Sequence, residues 1–211
     1  MTAGCADATL RRVPLVRQTP HLDRVRERGE AAFLDAAAAL VDEGVTYSEL
    51  SIATLAKRAG FSRPTFYAYF TDKRALASAV GRRFEASLGD GVDAWLLGQE
   101  DVTLTEALDR TVRTFRDQRG AVLLIAEAAT YDAEIRVLWA AIHEHFGRLV
   151  RERLRRDVTD DPDVIAARAS MLVWGTQATV VEHLRSAATS DDALVDALVV
   201  MWDAALGTPA G

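Results

Sequence analysis

The sequence predicts an all-helical protein of about nine helices, in which a small helix-turn-helix unit precedes a larger helical bundle. Three observations carry this reading: apolar residues recur at spacings of three and four, strand-like alternation never persists, and capping residues stand at the breaks. With 211 residues, 49% apolar and 27% charged, the chain can bury a self-sufficient core without a disulfide or metal staple. Cys5 is the single cysteine and has no disulfide partner, which favours a cytoplasmic protein. The first twenty residues lack the apolar core of a signal peptide, and no run approaches the ~18 uncharged residues of a membrane span. No membrane partner is expected.

The leader, residues 1–20, carries Arg11, Arg12 and Arg17 beside Pro14 and Pro20 without periodicity and reads as a flexible basic arm. A first helix is expected over 22–43, with Val25, Ala32, Phe33, Ala36, Ala37, Leu40 and Val41 as its buried stripe and Gly44 as its stop. Short helices at 52–59 and 63–69 precede a long one over 73–97. Thr103 with Glu106 is a capping box for a helix to 117. Gly120 is expected to break the pattern before a short apolar helix over 122–129. A long helix over 132–157 follows. Asp161 and Pro162 then supply an N-cap and a first-turn proline for a helix to 188, and Ser190, Asp191 and Asp192 cap the last, to 206.

Ser51 to Phe70 reads SIATLAKRAGFSRPTFYAYF. Ser51 can cap a helix whose inward residues are Ile52, Leu55, Ala56 and Ala59. Gly60 suits a left-handed turn, and Ser62 caps the next helix with Pro64 in its first turn. This is a helix-turn-helix. Small Ala56 lets the two helices cross closely. Phe66 and Phe70, four residues apart, must face the core, which leaves Arg63, Thr65, Tyr67, Ala68 and Tyr69 outward, where a recognition helix meets base edges and phosphates. Lys73 opens the next helix, where its ammonium and the first-turn N–H groups can hold a phosphate.

Charge supports that partner. The net charge is −6, yet residues 51–83 hold seven cations (Lys57, Arg58, Arg63, Lys73, Arg74, Arg82, Arg83) against Asp72 alone. A basic island inside an acidic protein suits a polyanion and discourages indiscriminate sticking. Two core helices joined by a glycine would have no reason to expose Arg63, Tyr67 and Tyr69 together.

Residues 24–80, above all the run IATLAKRAGFSRPTFYAYFTDKRAL from Ile52 to Leu76, resemble the DNA-binding domain of the TetR family of one-component transcriptional regulators. The resemblance implies an all-helical homodimer with a DNA-binding domain over 21–72 and an effector-binding and dimerisation domain over 73–207. It implies DNA contacts at Arg63, Thr65, Tyr67, Tyr69 and Lys73, with Thr46 and Ser51 as phosphate contacts. Ala68 stands where some members carry a larger base-reading residue. The run SRPTFY, the Leu138-Trp139 pair and the Met201-Trp202 ending are similar to the actinobacterial subgroup that includes the ethionamide-resistance repressor, and a bias of 23 arginines to 2 lysines fits a GC-rich genome.

The partners expected are a double-stranded DNA operator and a small, mostly apolar effector, with release from a palindromic operator as the response. An effector site would lie between the middle helices, lined by Trp95, Phe115, Trp139, Phe146, Met171 and Trp174, with His143 and Gln177 as polar handles. Trp139, His143 and Phe146 share one helical face, and Met171, Trp174 and Gln177 another; Gly175 is expected to border the pocket. The last two helices, rich in Val173, Val180, Val181, Leu184, Leu194, Leu198, Val199 and Met201, are expected to form the homodimer interface of a transcriptional repressor. No P-loop, dinucleotide fingerprint, nucleophile elbow or cysteine cluster occurs, and His143 and His145 point to different faces, so neither enzymatic activity, metal nor cofactor is expected. A helical-bundle enzyme or a non-DNA adaptor is the alternative reading.

Overall fold

The computed structural model describes residues 20–98, 101–158, 160–186 and 188–207, so the basic arm expected at the start of the chain lies outside the described residues. Among these residues the protein is all-helical: α1 (Pro20–Asp42), α2 (Ile52–Ala59), α3 (Arg63–Tyr69), α4 (Lys73–Leu96), α5 (Leu104–Asp117), α6 (Arg119–Tyr131), α7 (Ala133–Asp157), α8 (Pro162–Ser186) and α9 (Asp191–Leu206).

The helix ends follow local chemistry. Ser51 Oγ accepts from the Thr54 N–H at 3.1 Å, and Gly60 closes α2 at φ 78°, a conformation that costs a glycine nothing. Ser62 Oγ accepts from Thr65 N–H at 3.2 Å and starts α3. Thr103 and Glu106 form a reciprocal capping box on α5. Asp132 and Ser190 are simple N-caps: Asp132 accepts from the Glu134 and Ile135 N–H groups of α7, and Ser190 from the Ala193 N–H of α9.

Phe33 of α1, fully buried, organises the helix-turn-helix. Its ring meets Phe61 at 5.2 Å, Phe66 at 5.4 Å, Tyr69 at 5.6 Å and Phe70 at 6.0 Å. One ring on α1 thus fixes both ends of α3. The same continuous core runs on through Phe84, Phe115, Ile125, Ile135, Leu154 and Leu172 into the bundle of α4 to α9.

Gly120 does not break a helix. It lies inside α6, where a Cβ would stand 2.1 Å from the Ala38 carbonyl oxygen of α1. Absence of a side chain there lets α6 lie directly on the α1 backbone, so what the residue supplies is close approach rather than a break.

α8 is long and apolar enough to cross a membrane by length and composition. In the fold it packs against α5, α6, α7 and α9.

Candidate DNA-binding face and effector cavity

α3 turns Arg63, Pro64, Tyr67 and Ala68 to the exterior, with Tyr67 48% exposed. Thr65 is half-buried, its hydroxyl 2.8 Å from Ser62 Oγ within the cap. Ser51 is exposed and engaged in capping α2. Thr46 is exposed, but its hydroxyl donates to Glu49 Oε2 at 2.8 Å and its N–H to the same oxygen at 3.0 Å, which sets a carboxylate where a phosphate would approach.

Two assignments change. Tyr69 faces inward, its ring on Phe33 and Phe61 and its hydroxyl over Gly29 of α1, where a Cβ would stand 2.1 Å away. Tyr69 stands three residues after Phe66 and so shares the helix face that meets Phe33 of α1. Lys73 does not project toward solvent. Its Nζ donates to the Tyr47 carbonyl at 2.7 Å and the Ser48 carbonyl at 3.4 Å, and sits 4.4 Å from the Tyr47 ring centroid. Burial pushes its ammonium below the ordinary lysine value.

The basic island is thinner than the sequence implies. Arg58 pairs with Glu43, Arg83 with Asp35 at 2.7 Å, and Arg74 with Glu134 at 2.8 Å beside Asp72 and Asp132. Apart from Asp72, the carboxylates come from distant parts of the chain: Asp35 on α1, Glu43 just beyond it, and Asp132 and Glu134 at the start of α7. Lys57, Arg63 and Arg82 remain as exposed or half-exposed cations without an ion pair among the described residues, and Lys57 and Arg63 belong to the helix-turn-helix itself.

Glu127 of α6 is a residue that the sequence reading missed. Its carboxylate accepts from Tyr47 N–H at 2.8 Å and Ser48 N–H at 3.3 Å, while Lys73 holds the carbonyls of the same two residues. The loop entering α2 is therefore held by α4 and α6 together. Eighty residues separate Glu127 from Tyr47, and no local pattern signals the pairing.

In the bundle, α4, α5, α7, α8 and α9 line a partly open cavity of about 80 Å³. Phe84, Leu88 and Leu96 line it from α4, with Leu108, Thr111 and Phe115 from α5. Trp139, Ile142, His143, Phe146 and Val150 come from α7, Val173, Thr176 and Gln177 from α8, and Trp202 from α9. Phe115, Trp139, His143, Phe146 and Gln177 of the expected set are thus brought together. Trp95, Met171 and Trp174 are not: Trp95 packs edge-on to Trp202 beneath the Arg153 guanidinium, while Met171 and Trp174 lie on the surface of α8, 51% and 45% exposed. Gly175 faces Met201 of α9 instead of the cavity. Most of the missed lining is plain Leu, Ile, Val and Phe, which sequence alone cannot tell from core. Trp202 had a signal in the Met201-Trp202 ending.

Among the described residues the lining carries no charged side chain, and several of its polar atoms already have partners within the bundle. Thr111 Oγ1 donates to Ala107 O at 2.8 Å. Trp202 Nε1 donates to Thr176 Oγ1 at 2.9 Å. His143 Nδ1 lies 2.6 Å from the Trp139 carbonyl, to which it donates, and the ring shares a hydrogen bond with Gln177. Burial holds the His143 imidazole below its ordinary value despite these bonds, so the neutral form is favoured. Such a lining recognises apolar, uncharged matter; a carboxylate or phosphate would find no counter-charge in it.

Residues 33–80 match the family profile of bacterial regulatory proteins, tetR family. No curated protein matches the chain. Among solved structures, it is similar to the fatty acid degradation regulator FadR from Bacillus halodurans (TM-score 0.67, 15% identity, covering 86% of this chain and 96% of that one). It is similar also to a tetR-family transcriptional regulator from Streptomyces coelicolor (0.64, 18% identity, 88% and 83%). A third is AibR, solved in complex with isovaleryl coenzyme A and operator DNA (0.60, 16% identity, 82% and 97%). α1 to α3 therefore form a TetR-type helix-turn-helix, and the chain as a whole has the helical layout of TetR-family regulators.

Proposed function

We propose that this protein is a ligand-responsive, DNA-binding transcriptional repressor, without enzymatic activity, that binds a palindromic operator as a homodimer and is released by a small apolar effector. The observation that carries the DNA reading is the capped α3, which presents Arg63 and Tyr67 to solvent beside the unpaired Lys57 on a unit matching the tetR-family profile. The uncharged cavity of the bundle supports an apolar effector. The loop held by Glu127 and Lys73 supports a path from bundle to reading head.

A different set of residues from the one expected supports the dimer. Val180, Val181, Leu184, Leu194 and Leu198 are buried in the chain's own core, and Val173, Val199 and Met201 are half-buried. The exterior of α8 instead carries Val164, Ala167, Met171, Trp174 and Ala178, and that of α9 carries Ala193, Ala197, Val200 and Ala204, all exposed. These recur at three and four, the spacing of a helix-packing seam, and the alanines allow close approach.

The test is to sequence genomic fragments retained by the purified protein and titrate the best site in a gel-shift assay across salt. A palindromic site bound by a dimer, with a log-log salt slope near −0.9 per neutralised phosphate, is the expected result. Retention no better than on sheared random DNA, or equal affinity of a monomer for a lone half-site, would overturn the reading.

A further inference from the structure

Trp174 belongs to two surfaces at once. Its outer side is 45% exposed in the apolar stripe of α8, while its ring lies flat on His143, with centroids 3.9 Å apart and planes 5° from parallel. His143 lines the cavity and stands edge-on to Trp139 at 4.8 Å. On this side, one imidazole backed by one indole separates cavity from seam.

The cavity is small. At about 80 Å³ it has roughly half the ~150 Å³ of an engineered apolar cavity that holds benzene. A benzene-sized occupant must therefore displace a wall. Interiors are close-packed, so the wall that yields is the one with the least packed behind it. Phe84, Leu108 and Phe115 are backed by core, whereas His143 is backed by a half-exposed ring.

We propose that His143 and Trp174 form a relay from the effector cavity to the dimer seam, so that occupancy of the cavity weakens association of the two copies. This inference rests on the effector and dimer readings above. An occupant presses His143 outward, His143 carries Trp174 with it, and the stripe on which the second copy packs changes shape. Because linkage is reciprocal, dimer formation lowers affinity for the occupant by the same factor that the occupant lowers dimer affinity.

Benzene is the probe, and 5-fluorotryptophan placed at all four tryptophans is the reporter, with ¹⁹F resonances assigned by single Trp→Phe variants. Benzene is expected to shift Trp139 and Trp202, which line the cavity, and Trp174 with the same half-saturation. The dimer dissociation constant, from sedimentation, rises about threefold or more at saturation, a size ordinary for coupled sites. In Trp174→Ala, which removes the backing of His143 but keeps the imidazole as the cavity wall, benzene still shifts Trp139 and Trp202 while the dimer constant, whatever its new baseline, no longer responds; Trp174→Phe, which keeps a ring on His143, restores the response. Shifts at Trp139 and Trp202 with Trp174 and the dimer constant unmoved would overturn the relay and leave the effector cavity standing. No shift at any tryptophan would overturn the cavity reading together with the relay. A chain monomeric at every concentration would overturn the dimer reading together with the relay.

Discussion

Glu127 of α6 holds Tyr47 by its backbone N–H at 2.8 Å, across eighty residues of sequence. The Tyr47 ring is buried beneath the Lys73 ammonium. The loop that leads into α2 is thus fixed from the bundle side by an acceptor and from α4 by a donor. Movement of α4 or α6 must therefore be felt at the start of the DNA-reading unit.

Removing that acceptor should loosen the joint. Glu127→Ala leaves two N–H groups without their partner, one on buried Tyr47, and is expected to cost ~1–3 kcal/mol of stability. Urea denaturation reads the loss. Operator affinity should fall with it, since the loop entering α2 is no longer held; an unchanged midpoint and unchanged affinity would show the contact to be dispensable.

Arg63 and Lys73 should behave as different kinds of residue. Arg63→Ala removes an exposed cation of α3 and should cost ~1–3 kcal/mol of specific binding and relax discrimination at one base. Lys73→Ala removes a brace, so it should lower thermal stability and leave the salt slope of DNA binding unchanged. A slope reduced by about one unit in Lys73→Ala would return that ammonium to the phosphate backbone.

Gly120→Ala tests the seat of α6 on α1. A Cβ 2.1 Å from the Ala38 carbonyl oxygen meets backbone, which cannot rotate aside. The two helices must part, at a cost of about 1–3 kcal/mol or more. The melting temperature measures it, and an unaffected melting temperature would contradict the close approach.

His143 predicts a pH dependence of stability with a definite sign. Its folded value is lowered by burial from the ordinary 6.5, so below that pH the unfolded chain binds the proton more readily than the folded one. Stability conferred by a neutral His143 is complete above about pH 6.5 and declines as the pH falls toward the folded value. Denaturant midpoints at pH 7.5 and about pH 5 should differ more in the wild-type chain than in His143→Phe, which has no group to titrate there.

Several determinants were local and therefore legible in the sequence. Ser51, Gly60, Ser62 and the Thr103/Glu106 pair act on backbone groups within four residues of themselves, so the helix-turn-helix and the order of helices follow from neighbouring residues alone. The period of three and four likewise marked Phe33, Phe66 and Phe70 as core. Tertiary structure decided what depends on partners distant in the chain. It turned Tyr69 onto α1, gave Lys73 to the carbonyls of Tyr47 and Ser48, and brought Glu43, Asp35 and Glu134 against arginines that look unopposed in sequence. It also divided the apolar residues of α8 among core, cavity and exposed surface. Hydrophobicity is non-directional: it favours covering a side chain and does not specify by what, so Val180 in the core, Val173 at the cavity and Met171 on the surface differ only in what the other helices set beside them.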